Sequence, residues 1–108
     1  MSQEVLSIAI FEPLLGMEQE ALADVRELMT VMQSRAYSRD CLYRNAASGN
    51  EYVLLRYWKS PQARRDALED SEAQRLWAKL AQEINMLKVY ESLKAFPDGA
   101  APDHANPA

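Results

Sequence analysis

Apolar residues run or alternate through four short stretches of the chain and recur at three- and four-residue spacings in the segments between them. In Glu51–Trp58, Tyr52, Leu54, Arg56 and Trp58 fall on one side of an extended backbone, and Val53, Leu55 and Tyr57 fall on the other. Both sides are mostly apolar, so the pattern predicts a strand whose sheet is covered on both faces. Val5–Phe11 has the same character, with Val5, Ser7, Ala9 and Phe11 opposite Leu6, Ile8 and Ile10. A weaker strand is expected over Cys41–Ala46, with Cys41, Tyr43 and Asn45 opposite Leu42 and Arg44. The last strand is expected over Met86–Leu93, with Leu87, Val89 and Leu93 opposite Met86, Lys88 and Tyr90.

Between these strands the period changes. Pro13 and Gly16 break the first strand, and Met17, Ala21, Leu22, Val25, Leu28, Met29 and Met32 then predict a helix over 17–35. Glu18 and Glu20 suit the positive end of its dipole, while Asp24 and its charged neighbours are assigned mostly to the other sides of the axis. Residues 47–50 (Ala-Ser-Gly-Asn) read as the turn of a β-hairpin. Ser60 before Pro61 marks a helix start, because serine caps free amides and proline lacks the donor that would be orphaned there. That helix is expected to break at Asp70 and Ser71, with Ser71 and Gln74 as a capping box, before a segment marked by Ala73, Leu76, Trp77 and Leu80.

The element order β-α-β-β-α-β predicts an α+β protein with a four-stranded antiparallel sheet and helices on one face. No helix follows Leu93 to cover the other face, so the apolar side chains there predict a homodimer. The chain has 108 residues, 48% of them hydrophobic and 26% charged, which fits one folded domain over residues 1–96. Residues 97–108 are rich in proline and alanine and read as a flexible tail.

The formal charge of −4 does not favour nucleic acid as a partner, and no stretch is long and apolar enough to span a membrane. With one cysteine, Cys41, and no leader-like start, a cytoplasmic setting is expected. The single histidine, His104, sits in the tail, so neither a metal nor a cofactor is expected from the donors available. Arg64 and Arg65, beside Asp66 and Glu69, read as a solvated helix face.

The candidate chemistry consists of polar groups on otherwise apolar elements around a pocket between the helices and the sheet. Arg56, Tyr43, Asn45 and Tyr90 are the candidate catalytic residues, and Ser7, Met32 and Trp77 are candidate pocket walls. For Arg56 two readings stand. It is paired with a carboxylate such as Glu91, or it orients an anion or quinone oxygen, because an isolated buried charge is very costly. The tyrosines are either strand fillers or donors to a phenolic ligand.

The run YVLLRYWKSPQA (residues 52–63), with Ala73 in the short amphipathic segment beyond it, resembles the antibiotic biosynthesis monooxygenase family. The resemblance extends from Val5 to Phe96. It implies a ferredoxin-like protomer that pairs with a second copy to form a dimeric α/β barrel, and a cofactor-independent oxygenase acting on a small aromatic, quinol or anthrone-like substrate. A non-enzymatic dimer that binds a small molecule is the alternative. The haem-degrading branch of that family is similar at Trp58, Lys59, Ser60, Gln62 and Ala63. It carries a second tryptophan where this chain has Ala67, a haem-binding histidine where it has Trp77, and an asparagine near Ser7. These departures argue against haem chemistry.

Overall fold

In Tyr52–Trp58 every second residue is buried, which is the period an extended chain imposes when one face of its sheet is packed. The computed structural model describes residues 4–96. The elements are β1 (Val5–Pro13), α1 (Glu18–Ser34), β2 (Ser38–Arg44), β3 (Tyr52–Trp58), α2 (Pro61–Leu68), α3 (Ser71–Ala81) and β4 (Ile84–Leu93). The four strands form one antiparallel sheet in the order β2-β3-β1-β4, the ferredoxin-like arrangement. The expected tail at 97–108 lies outside the described residues.

One sheet face packs under the helices. Val5, Ser7, Ala9 and Phe11 of β1 stand opposite Trp58, Arg56, Leu54 and Tyr52 of β3, and opposed residues share a face. Phe11 and Tyr52 stack with ring centres 5.7 Å apart. Leu28 and Met32 of α1 and Leu76 and Leu80 of α3 close over this face as the core. The opposite face, carrying Leu6, Ile8, Ile10, Val53, Leu55 and Tyr57, is covered by no element of the described chain and leaves these side chains partly exposed. No helix among the described residues is long and apolar enough to cross a membrane.

Three local expectations are corrected. The second strand starts at Ser38 and ends at Arg44 instead of spanning Cys41–Ala46. Ser38 and Asp40 look like turn residues but are strand residues whose polar groups are satisfied inside the fold. Asn45 leaves the strand because its Oδ1 accepts from the Ala47 amide at 2.9 Å, which begins the turn. In the last strand, register shifts set Met86 opposite Phe11 and Val89 opposite Ala9, while Lys88, Tyr90 and Leu93 oppose Ile10, Ile8 and Leu6. Strict alternation misassigned these faces, since each irregularity resets the parity. The third correction is that Asp70 caps α3, its Oδ1 accepting from the amides of Glu72 (2.9 Å) and Ala73 (3.1 Å), so Ser71 lies inside the helix. Ser60 caps α2 as expected, accepting from the Ala63 amide at 3.0 Å.

α1 ends with Ala36 at φ 59°, the left-handed position normally held by glycine. Its amide donates to Gln33 O at 3.0 Å and the Tyr37 amide to Met32 O at 2.9 Å, the two bonds of a Schellman cap. This turn feeds β2 back along the edge of β3.

Candidate functional site

Between the helix layer and the sheet lies a cavity of about 520 Å³. Leu28 of α1, Trp77 and Leu80 of α3, and Phe11, Leu54 and Arg56 of the sheet are among its walls; Arg56 and Asn85 are its only charged or amide side chains. A cavity with apolar walls and few polar groups is the usual form of a small-molecule site.

Arg56 reaches this space from the buried face of β3, and Asp40 on the neighbouring strand stands directly opposite it. Arg56 Nε donates to both Asp40 oxygens at 3.1 Å, and Nη2 donates to Oδ2 at 2.8 Å. Ser38 Oγ adds a bond to Asp40 Oδ1 at 2.8 Å. The two charged side chains are 9% and 2% exposed, so the pair is a buried, electrically neutral unit held in forked geometry. Arg56 is thus paired with a carboxylate, as one of its two readings expected, but with Asp40 and not with Glu91. The Glu91 carboxylate lies 3.7 Å from Arg64 instead.

Arg56 Nη1 makes no hydrogen bond among the described residues, which leaves donor capacity on a residue that lines the cavity. Because Asp40 already balances the guanidinium, a ligand carboxylate there would be desolvated without a free counter-charge. A neutral carbonyl or phenolic oxygen would meet a donor at little desolvation cost.

The other candidates are distributed differently. Trp77 lines the cavity with Arg56, so the structure brings these two together. Ser7 is not among the cavity's lining residues and joins two other groups, accepting from Trp58 Nε1 at 2.8 Å and donating to Glu91 O at 2.7 Å. Met32 is wholly buried in the core. Tyr43 and Tyr90 stand on the open sheet face, opposite Val53 and Ile8, with Lys88 Nζ 5.3 Å from the Tyr90 ring centre. Asn45 belongs to the β2–β3 turn. Within this protomer none of these last three shares the cavity with Arg56.

Besides Asp40, two further carboxyls went unrecognised in the sequence. Asp24, assigned above to the polar sides of α1, is buried with Lys79 Nζ 3.2 Å from its Oδ1, and Glu83 is buried in the connection from α3 to β4. The spacing of Asp24 from Ala21 and Leu28 was the available signal. Among the described residues no three His, Cys, Asp or Glu side chains converge as a metal site would require.

No protein-family model and no curated protein sequence matches the chain. Solved structures do match it in three dimensions. SnoaB from Streptomyces nogalater, described as a cofactor-independent oxygenase, is 18% identical with a TM-score of 0.71, over 89% of this chain and 99% of that one. A protein from Chloroflexus aurantiacus, described as a candidate antibiotic biosynthesis monooxygenase, is 14% identical with a TM-score of 0.69, over 82% and 89%. PA3566 from Pseudomonas aeruginosa is 14% identical with a TM-score of 0.76, over 89% and 97%. At these identities the likeness establishes the architecture: the chain has the ferredoxin-like fold of the antibiotic biosynthesis monooxygenases.

Proposed function

We propose that this chain is a cofactor-independent monooxygenase of the antibiotic biosynthesis monooxygenase family, acting as a homodimer on a small aromatic, quinol or anthrone-like substrate. The observation that carries the reading is the neutral Arg56–Asp40 pair bordering an apolar cavity that also holds Trp77. A planar substrate lies against Trp77, and its oxygen accepts from Arg56 Nη1. As the substrate loses a proton to water, negative charge grows on that oxygen, and the resulting anion then passes an electron to O2. The guanidinium then stabilises the reacting state more than the ground state. For an anthrone the balance is one CH2 and one O2 giving one C=O and one water. The apolar walls keep the reactive intermediate from bulk solvent.

The open sheet face supports the dimer. A second copy related by a two-fold axis would cover Leu55, Tyr57 and the partly exposed apolar side chains of β1, and would bring Tyr43 and Tyr90 into an interface. Leu55→Asp on that face is expected to give a folded monomer by light scattering. A wild-type chain that is monomeric at all concentrations overturns the assembly.

Oxygen uptake with hydroxynaphthoquinols and anthrones, without added metal or flavin, tests the reaction. Uptake above the uncatalysed rate, lowered at least tenfold in Trp77→Ala, is expected. Rates equal to the uncatalysed reaction across the panel count against it. The absence of a carboxyl, imidazole or thiol from the cavity walls favours one second reading, a dimer that binds such molecules without turning them over.

A further inference from the structure

The seam between α1 and α3 holds two carboxyls that the cavity does not use. Asp24 and Glu83 are 4% and 3% exposed. Lys79 serves Asp24 Oδ1, but Asp24 Oδ2 and Glu83 Oε1 have no hydrogen-bond partner. Two orphaned oxygens in neighbouring buried carboxyls have a simple resolution. One proton makes one carboxyl a donor and the other its acceptor. Burial first, then the hydrogen bond and charge of Asp24, push the Glu83 carboxyl up to about 6, while Lys79 opposes the shift and Glu20 adds to it. From α1 the group thus faces Asp24 and Glu20, and from α3 it faces Lys79.

Glu83 also pins the backbone at this point. Its amide donates to Leu80 O, and its carbonyl accepts from the Leu14 amide, both at 2.8 Å. Leu80, Ala81, Ile84, Asn85 and Met86, which flank it in sequence, all line the cavity. Glu83 therefore sits in the middle of the segment that forms one cavity wall, with its carboxyl outside the lining.

We propose that Asp24 and Glu83 share a single proton that latches the Leu80–Met86 wall of the cavity, and that loss of this proton loosens the wall. The consequence for ligand entry rests on the functional reading above, but the latch itself does not. The closed state holds the proton more tightly than an opened state in which Glu83 is solvated. Below the ordinary glutamate value of 4.5 both states are protonated and opening is insensitive to pH. As pH rises from there through about 6 the latch weakens, and above that value it is released.

Hydrogen–deuterium exchange of the full chain, read for peptides spanning residues 80–90 and corrected for intrinsic rates, needs no ligand. Local opening in the wild type is expected to increase about eightfold between about pH 5 and about pH 7.5, from the linkage between the two glutamate values. Glu83→Gln keeps a donor toward Asp24 and should be protected and flat across that range. Asp24→Asn, a second variant should the first fold poorly, should also lose most of the slope. A flat wild-type profile overturns the latch, as does an unchanged slope in either variant. If neither variant folds, the wild-type profile alone decides. Exchange that follows pH without any oxygen uptake leaves the latch standing and removes the enzyme reading, so the two failures are distinguishable.

Discussion

Consider Arg56→Met, which keeps a long apolar stem in β3 and removes the guanidinium. Asp40 would lose three bonds from Arg56 and keep the Ser38 hydroxyl, with its side chain 2% exposed. Stranding one member of a buried pair costs about 3–5 kcal/mol. That is a large share of the roughly 5–15 kcal/mol available to a domain of this kind. Asp40→Leu should be comparably damaging, because it strands the guanidinium. In the double variant both charges are gone and apolar side chains face each other across β2 and β3, where an ion pair can be replaced at little net cost.

The stabilities should therefore be strongly non-additive, with a coupling energy of at least about 2 kcal/mol restoring the double variant toward the wild type. Urea unfolding followed by far-UV circular dichroism at one fixed protomer concentration supplies the four values, and a common m-value checks that the transitions are comparable. Single losses that simply add, within about 0.5 kcal/mol, would refute the claim that the two charges form one buried unit.

Three further outcomes follow from the same geometry. Ser7→Ala removes the acceptor of Trp58 Nε1 and the donor to Glu91 O, and should cost about 1–2 kcal/mol in urea unfolding while leaving the fold intact. Ala36→Gly relieves a left-handed alanine in the cap of α1 and should stabilise the chain by roughly 1 kcal/mol, seen as a higher urea midpoint. Asp70 is held below the ordinary carboxylate range chiefly by the Tyr37 hydroxyl, then by the Arg35 guanidinium. Its folded value is depressed, so its contribution is present above 3.8 and is lost as pH falls below it. The melting temperature should decline in that acid range, and Asp70→Asn should flatten the decline.

The parts of the fold governed by simple periodicity were legible in the sequence. Alternation in Tyr52–Trp58 gave the buried face of β3, the three-four spacing gave α1, and Ser60-Pro61 gave the start of α2. What escaped depended on pairing across elements. The Asp40 carboxylate is buried because Arg56 faces it, and Ser38, opposite Trp58, is satisfied by donating to Asp40; nothing local in residues 38–40 announces that. The bulged register of β4 is imposed by β1, so alternation within Met86–Leu93 could not assign its faces. At the site, Arg56 of β3 and Trp77 of α3 border one cavity between the layers, whereas the strand parity of Tyr43 and the turn bonding of Asn45 take them elsewhere. Glu83 lies on a connection with no period to read.

The claim on which the functional account stands is that Arg56 offers its spare donor to a neutral oxygen in the cavity. The arginine guanidinium N–H signals in a nitrogen–proton correlation spectrum, with Arg56 assigned by substitution to lysine, report on it directly. Titration with 1,4-naphthoquinone should shift the Arg56 signal with saturation, while 1-naphthoate at the same concentrations should leave it in place. A shift with the carboxylate and none with the quinone would contradict the account, as would an Arg56 signal indifferent to both.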